Sequence, residues 1–367
     1  MSSTKELIED KYNLDQADVI AYGSKSNNQE TKFEFIPFKL RKLAPDEITL
    51  KTLYTSLSPY DIAFSTSKLG DNQILTHVPG HVFVGEIVEL GSEVVNLKKH
   101  DIVCCGILEK SCGNCTYCLE GSQNLCESID DMIKWKQGYG GWATHWQGNL
   151  KYAHKISQEI PLELASSLMD AGLTVYAPMK KHIIANKHKE LAVIGIGRLG
   201  HLAIKYGKAM GLNVTAITMS QQNTEDIINL GADAVYNFEN LNELTKLRKI
   251  DVVLYCSGDG NIDSFIRILK KRGIFVLLSA PVLGEDKSKI DEHFITHNEI
   301  SIVGSHFGND DDMRQCVDFS ARHRVFPNVE LYDFDDFDKA LEKLNSWKAK
   351  YTIVVKCLSH KYPRFNN

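Results

Sequence analysis

The chain has 367 residues, of which 43% are hydrophobic and 24% charged, a balance typical of a globular protein with room for two domain cores. Its formal net charge of −5 argues against nucleic acid or an anionic membrane as the main partner, and no apolar run is long enough to span a bilayer. The first residues are polar and partly acidic, unlike a secretory or mitochondrial leader, so we expect a cytoplasmic protein that acts on a small molecule.

Residues 1–170 are predicted to form a mostly β domain. Glu47–Leu53 and Val82–Leu90 are alternating or apolar segments separated by Pro and Gly, which is the pattern of strands joined by turns. A helix over Glu163–Pro178 is predicted to lead out of this domain.

A cluster of cysteines lies inside this domain, in the loop 104–128. The stretch CGNCTYCLEGSQNLC begins at Cys112 and ends at Cys126, with Cys115 and Cys118 between them. Four thiolates at such spacing in a cytoplasmic chain favour a closed tetrahedral zinc site, with four free or disulfide-paired cysteines as the alternative. A closed site of this kind is structural, because no ligand position is left for a substrate.

A glycine-rich turn follows the predicted buried strand Leu191–Ile194. Its glycines have the G-x-G-x-x-G spacing and open a helix predicted over His201–Met210. Such a turn lets the backbone approach a diphosphate, whose charge is stabilised by the free N–H groups at the start of the helix. The predicted dinucleotide contacts in the turn are Gly195, Gly197, Arg198, Leu199 and Gly200.

Strand and helix patterns alternate around this turn. Predicted strands cover Asn213–Thr218, Asp251–Tyr255 and Ile274–Leu278, with a helix at Thr224–Leu230. This alternation predicts a doubly wound parallel sheet, a Rossmann domain, over residues 171–308. The remaining segment, 309–367, carries a helix over Met313–His323 and a strand over Tyr351–Cys357, which we expect to return to the first domain.

The end of the second Rossmann strand bears on the choice of dinucleotide. An NAD site places an acidic residue about 20 positions after the glycine turn, where it accepts a hydrogen bond from the ribose 2′-OH. Here the strand ends in Thr218, Ser220 follows, and no acid occurs before Glu225. Hydroxyl and amide side chains favour a 2′-phosphate, so the pattern indicates NADP(H) as the cofactor.

Taken together, the motifs resemble the medium-chain zinc alcohol dehydrogenases, in their cinnamyl-alcohol-dehydrogenase-like branch. The similar segments, which span nearly the whole chain, are VPGHVFVGEIVELGSEV, CGNCTYCLEGSQNLC, DAGLTVYAPM, GIGRLGHLAIKYGKAMGL and the stretch Gly304–Gly308. The resemblance implies an α/β fold with a GroES-like, mostly β catalytic domain and a Rossmann domain. It also implies homodimers or tetramers, and cofactor contacts from Thr174, Gly304 and Ser305.

The family's catalytic zinc ligands are mostly missing. The resemblance implies Cys, His and Cys, with a nearby Glu, but Ser58 and Asp170 stand at the Cys positions and Val82 at the Glu position. Only His81 matches. A serine hydroxyl must lose a costly proton to coordinate zinc, and valine cannot coordinate at all. A hard, oxygen-rich metal site remains an alternative, in which Asp61 completes the ligands offered by His81 and Asp170.

Loss of the catalytic zinc removes the Lewis acid that polarises an alcohol or carbonyl oxygen. We therefore predict an NADP(H)-dependent reductase of activated C=C, C=N or C=O bonds that carries one structural zinc. The stretch Ser58-Pro59-Tyr60-Asp61 also resembles the Asn-Pro-x-Asp of zinc-free quinone and enoyl reductases. On that interpretation Tyr60 donates a proton or a hydrogen bond to the developing oxyanion. His81 or Asp170 then adjusts how readily Tyr60 donates.

Two other functions stay open at this point. One is a zinc-dependent alcohol or aldehyde dehydrogenase with an unusual metal site of Ser58, His81 and Asp170. The other is a catalytically inactive enzyme fold that serves as a subunit of a larger assembly. The complete glycine turn favours an enzyme, because a scaffold has no need of it.

Overall fold

The computed structural model describes residues 17–26, 31–65, 76–131, 139–149, 153–218, 224–238, 250–258, 262–279 and 290–366. The chain divides into two compact units, the first made of Met1–Asp170 with Val329–Asn367 and the second of Ala171–Asn328. The predicted C-terminal segment 309–367 is thus divided between the two units: residues 309–328 belong to the second unit and residues 329–367 to the first.

The elements are numbered in chain order. The strands are β1 Val19–Ser26, β2 Thr31–Phe38, β3 Glu47–Leu57, β4 Thr76–His77, β5 Phe83–Leu90, β6 Ile102–Cys105, β7 Leu108–Lys110, β8 Asp130–Asp131, β9 His145–Asn149, β10 Ala153–Lys155, β11 Glu190–Ile194, β12 Asn213–Thr218, β13 Ala234–Asn237, β14 Ile250–Tyr255, β15 Leu269–Leu277, β16 Ser301–Gly304, β17 Val329–Asp333 and β18 Thr352–Lys356. The helices are α1 Pro59–Ser65, α2 Thr116–Leu119, α3 Leu162–Ser167, α4 Leu173–Met179, α5 Gly200–Ala209, α6 Thr224–Asn229, α7 Ile262–Ile266, α8 Glu292–Asn298, α9 Asp310–His323 and α10 Phe337–Asn345.

The first unit is built on mostly antiparallel sheets, in agreement with the strands separated by Pro and Gly in its sequence; β17 and β18 pair in parallel. The large sheet has the order β10-β6-β5-β3-β18-β17, with β9 also paired to β3, and a smaller sheet has the order β2-β1-β4. Alternate residues of β3 and β5 point into a core that includes Phe83 and Trp146, and a second core gathers Tyr22, Trp142 and Phe337. Both tryptophans are therefore packing residues of this unit.

The second unit is a parallel sheet of order β13-β12-β11-β14-β15-β16. Its central strand β11 pairs with β12 on one side and β14 on the other, in parallel register through Val193↔Ala216 and Val193↔Leu254. Chain order reverses at β11, and in such sheets ligands bind outside the carboxyl ends of the strands at that point. The predicted doubly wound α/β fold is confirmed, and the glycine turn leaves β11 at this position.

The helix predicted over Glu163–Pro178 is not a single α-helix. It begins as α3, continues through a π-helical turn at Leu168–Gly172, and resumes as α4 with Pro178 inside it. A π turn takes in an extra residue and changes the direction in which the following side chains point. Asp170 lies within this turn, at the last position of the first unit.

Other boundaries are close to the predicted ones. The helix predicted from Met313 begins at Asp310, because Asn309 and Asp312 form a capping box in which each side chain accepts the other's backbone N–H. The strand predicted from Ile274 begins earlier, at Leu269. Among the described residues, no helix combines the length and the apolar character needed to cross a bilayer.

Candidate active site

The glycine turn after β11 has the geometry that its spacing predicts. Gly195 has a φ of +85°, and a Cβ there would lie 2.7 Å from the Cβ of Ser257. At Gly200 a Cβ would lie 2.0 Å from the carbonyl oxygen of Gly195, so only glycine lets α5 approach the strand this closely. Around Gly197, by contrast, a Cβ would meet nothing within 4 Å. The residues present therefore fit a dinucleotide whose diphosphate approaches the backbone at Gly197.

The other predicted cofactor residues lie at several places in the second unit. Thr218 ends β12, Gly304 ends β16, and the Ser305 amide donates a hydrogen bond to Leu277 at 3.1 Å. Thr174 lies in the first turn of α4. Thr218 and Gly304 thus end two strands of the same parallel sheet, at its carboxyl edge, where the glycine turn also lies. Ser220 lies outside the described residues.

The four clustered cysteines come together in the loop that holds α2. Their sulfur atoms all lie within 4.8 Å of one another, and the sulfurs of Cys112 and Cys118 are 3.9 Å apart. Tetrahedral zinc with Zn–S bonds of about 2.3 Å has its sulfurs roughly 3.8 Å apart, so this donor set fits the ion. None of the nine cysteines, all of which are described, forms a disulfide.

Backbone N–H groups stabilise the thiolate form of these cysteines. The Cys115 amide donates to the sulfur of Cys112 at 3.3 Å, and the amides of Cys112 and Ser128 donate to that of Cys126. Backbone N–H groups of Asn114 and Cys115 lower the pKa of the Cys112 thiol, and the pKa of Cys115 is lowered in the same way. A lower thiol pKa favours the charged form that binds a metal ion.

The structure brings together four of the predicted catalytic residues of the first unit. His81, whose exposed fraction is 1%, lies between two carboxylates: its Nδ1 is 2.7 Å from Asp61 Oδ1 and its Nε2 is 3.2 Å from Asp170 Oδ2. Asp61 Oδ2 accepts the backbone N–H of Ser58 at 3.0 Å. The Gly80 amide donates to Asp61 Oδ1 at 3.2 Å. Asp61 therefore ties the start of α1 to the loop before β5.

These contacts fix the charge of His81. Burial alone would lower its pKa, but the charges of Asp61 and Asp170, together with hydrogen bonds to both, outweigh burial and raise the pKa of His81 to about 10. At neutral pH His81 is thus an imidazolium that donates from both ring nitrogens. With both carboxylates ionised, the three side chains carry one net negative charge.

This arrangement offers a catalytic zinc fewer ligands than the family's site. His81 Nδ1 faces Asp61, the kind of outer carboxylate partner that a zinc-bound histidine commonly has, so Nε2 and the Asp170 oxygen 3.2 Å from it are the two donors that remain, and among the described residues no third His, Cys or carboxylate donor completes a metal-binding group with them. The two carboxylates lie at opposite edges of the ring and do not converge on one point. Val82 is fully buried and has no ligand atom, so the neighbouring position adds nothing.

Tyr60 contacts this group through its backbone. Its amide donates to Ser58 Oγ at 3.4 Å, while the residue as a whole is 38% exposed. Among the predicted catalytic residues it is therefore the one with the greatest exposure to solvent. Asp170, at 9%, is the most exposed of the other four.

A second buried histidine lies beside this group and was not predicted from the sequence. His77 Nδ1 is 2.9 Å from the hydroxyl oxygen of Ser65, and Ser65 in turn donates to the backbone oxygen of Asp61 at 2.5 Å. Burial lowers the pKa of His77 to about 4, so it is neutral where His81 is charged. The spacing of Ser65 from Asp61, four residues along one helix, is a sequence signal from which the Ser65–Asp61 bond could have been predicted.

Comparison with known proteins identifies the family. Residues 44–158 match the alcohol dehydrogenase GroES-like domain, and residues 199–322 match the zinc-binding dehydrogenase domain. A putative cinnamyl alcohol dehydrogenase of Oryza sativa is 32% identical over 329 residues, which cover 87% of this chain and 91% of that protein. The chain belongs to the zinc alcohol dehydrogenases. Within this superfamily it falls in the cinnamyl-alcohol-dehydrogenase-like branch, as its motifs predict, and it is an alcohol-dehydrogenase-like oxidoreductase.

Solved structures of cinnamyl alcohol dehydrogenases share the fold. A cinnamyl alcohol dehydrogenase of Sorghum bicolor superposes with a TM-score of 0.84 at 24% identity, covering 94% of this chain and 99% of that one. The enzyme of Helicobacter pylori, solved in complex with NADP(H), has a TM-score of 0.81 at 24% identity, covering 92% and 98%. The predicted combination of a GroES-like domain with a Rossmann domain is confirmed.

Proposed function

We propose that this protein is an NADP(H)-dependent reductase of activated C=C, C=N or C=O bonds, with one structural zinc and no ordinary catalytic zinc. The observation that carries the proposal is the position of His81, whose two nitrogens both face carboxylates at the place where the family binds its metal. A group with one net negative charge cannot act as a Lewis acid on a carbonyl oxygen. The acceptor must therefore bring its own activation, as a conjugated or already charged double bond does.

Bound NADPH supplies the hydride, and the chain's own residues supply position and a proton. Asp61 holds His81 and the backbone at Ser58 and Gly80 in fixed geometry, so it acts as a positioning residue. Asp170 accepts from the second N–H of His81, and the 12% of its side chain that remains exposed allows contact with substrate. Tyr60, the exposed hydroxyl of the group, donates the hydrogen bond or proton to the atom that becomes negative as hydride arrives.

The preference for NADP(H) over NAD(H) rests on the end of β12. Thr218 is the last residue of that strand, and the sequence after it has no acidic residue to accept from a ribose 2′-OH before Glu225. The structural neighbour from Helicobacter pylori was solved with NADP(H), and the glycine turn here fits a diphosphate in the same family fold. We infer that Thr218 and Ser220 lie near the 2′-phosphate, with further contacts from Thr174, Gly304 and Ser305.

The structural zinc is inferred from the four-cysteine loop. Its sulfurs have the separation of a tetrahedral site, and backbone N–H groups stabilise their charged form. The ion would order the loop and supply no chemistry, because all four positions are filled by protein. We also infer the division 1–170, 171–308 and 309–367 as functional domains, and a cytoplasmic homodimer acting on a small molecule.

A titration combined with metal analysis tests the proposal. Purified protein is titrated with NADPH and with NADH by nucleotide fluorescence, zinc per chain is measured, and turnover is screened with an enone, a cyclic iminium and a benzaldehyde. We expect saturable binding that favours NADPH, about one zinc per chain, and turnover of at least one activated acceptor.

The alternatives give distinct results. About two zincs per chain, with turnover that a chelator abolishes and added zinc restores, would replace the proposal with a zinc dehydrogenase using Ser58, His81 and Asp170. No binding of either nucleotide at millimolar concentration would indicate an inactive subunit of a larger assembly.

A further inference from the structure

Two histidines lie one turn apart on helix α8 of the second unit. His293 and His297 are both exposed, and their rings are nearly parallel, with an angle of 7° between them and centroids 5.8 Å apart. Residues four positions apart in a helix project from the same face, so the two imidazoles are neighbours whenever the helix is formed. Neither ring belongs to the proposed oxidoreductase site.

The packing of α8 turns this face towards solvent. Phe294 and Ile295, on the other side of the helix, are partly buried and pack against the core of the second unit. At the start of the helix the Asp291 side chain accepts the Phe294 N–H at 3.0 Å, and Arg267 donates to the same carboxylate at 2.6 Å. The backbone that carries the two histidines is therefore held in place at its start and along its buried side.

The ring nitrogens of both histidines are available as ligands. Within the part of the chain that the structure describes, neither ring takes part in a hydrogen bond or an ion pair, and the contact between the two rings is their only side-chain interaction. A neutral imidazole has one nitrogen with a lone pair, which is the donor that a metal ion needs. Two such donors on one helix face can bind the same ion.

The spacing suits a divalent transition-metal ion. Histidines at positions i and i+4 of a helix are the pair that binds zinc in H-x-x-x-H sequences, and imidazole also suits copper and nickel. Metal–nitrogen bonds of about 2.0–2.1 Å hold two such nitrogens roughly 3 Å apart. Rotation of the two exposed side chains brings the rings to this separation, because neither ring is packed in a core.

We propose that His293 and His297 form a second metal site, which binds a divalent transition-metal ion at the surface of the second unit. Water fills the remaining coordination positions, so the ion exchanges freely, unlike an ion enclosed by the four cysteines. Cu²⁺ binds more tightly than Ni²⁺, and Mg²⁺, which prefers oxygen ligands, does not bind there. This site requires neither the nucleotide nor the proposed reaction.

A calorimetric titration of the full-length protein with Ni²⁺ tests the site. Nickel is the probe because it prefers nitrogen ligands and does not oxidise thiols, and zinc per chain is measured before and after to count any exchange at the cysteine loop. We expect one Ni²⁺ site whose affinity falls at least about tenfold in both His293→Gln and His297→Gln, because the second ligand of a chelate binds at high effective concentration. His360→Gln is the matched control, since His360 is exposed and has no other histidine within four positions, and its affinity should equal that of wild type.

NMR of ¹⁵N-labelled histidine identifies the ligands directly. Substoichiometric Ni²⁺ should broaden the ring signals of His293 and His297 together, before those of the other histidines, and the same amount of Mg²⁺ should broaden neither. Broadening of only one of the two rings, equal affinity in wild type and both variants, or no binding at millimolar Ni²⁺ would overturn the inference. If a variant melts below wild type without metal, the NMR result on wild type decides.

Discussion

Replacing Asp61 by Asn tests the charge assigned to the His81 group. Asp61 accepts from the amides of Ser58, Gly80 and His81 at 3.0, 3.2 and 3.4 Å, and from His81 Nδ1 at 2.7 Å. An amide keeps one acceptor and turns the other into a donor, which then faces an N–H group. Removing one partner of a buried ion pair costs about 3–5 kcal/mol. For a unit of this size the melting temperature should fall by about 6–20 °C at pH 6.5.

The stability lost on replacing Asp61 by Asn should depend on pH. The pKa of His81 is about 10 in the folded protein and near 6.5 in the unfolded chain, so its stabilising contribution is complete below pH 6.5 and is lost as pH rises through 10. Without the charge of Asp61, the pKa of His81 falls. The difference in unfolding free energy between wild type and D61N should therefore be smaller at pH 9.5 than at pH 6.5, because above the His81 pKa of the variant only wild type continues to lose stability.

Chemical denaturation at pH 6.5, 8 and 9.5 measures this difference, and ¹H–¹⁵N NMR of labelled histidine follows His81 directly. Asp233→Asn is the control, because that carboxylate also accepts a backbone N–H and a lysine but is exposed, so its loss should cost under about 1 kcal/mol at each pH. A constant difference between wild type and D61N across this range, or a wild-type His81 that titrates near pH 6.5, would refute the charge assignment.

Three further substitutions test the proposed roles. Tyr60→Phe should lower kcat about 10²-fold with little change in KM, whereas the exposed Tyr117→Phe should not, and equal turnover in both variants would remove Tyr60 from the mechanism. Cys118→Ser should release about one zinc per chain and lower the melting temperature, whereas Cys256→Ser should retain the metal; zinc that stays bound in Cys118→Ser contradicts the assigned site. Gly197→Ala meets no neighbour within 4 Å, so it should melt like wild type yet bind NADPH at least about tenfold more weakly, and unchanged affinity would place the diphosphate elsewhere.

The second unit was predicted well because its signals are local. Strand β12 has the predicted bounds Asn213–Thr218, and β11 and β14 each begin one residue before the predicted position. A short apolar run between turn residues identifies a buried parallel strand without knowledge of its neighbours. The π turn at Leu168–Gly172 carries no such signal, so the predicted single helix there was wrong.

In the candidate site the residues could be predicted from the sequence, but the contacts between them could not. The sequence indicated Asp61, His81 and Asp170 through their positions in family motifs, but not that they bond to one another. Those bonds join residues 20 and 89 positions apart, and only the folded sheet and the π turn bring them within reach.

The position of β18 in the large sheet has a consequence for synthesis of the chain. This strand lies between β3 and β17 and pairs with β3 through Leu57↔Ile353, so residues from the two ends of the sequence share one sheet. At about 5–20 residues per second, β3 leaves the ribosome roughly 15 s to 1 min before its partner. The contiguous nucleotide-binding unit can bury its own core during that interval. Meanwhile the edge of β3, directly before the Ser58–Asp61 segment, is open to pairing with other chains. We expect nascent chains halted before residue 352 to need a chaperone at this strand.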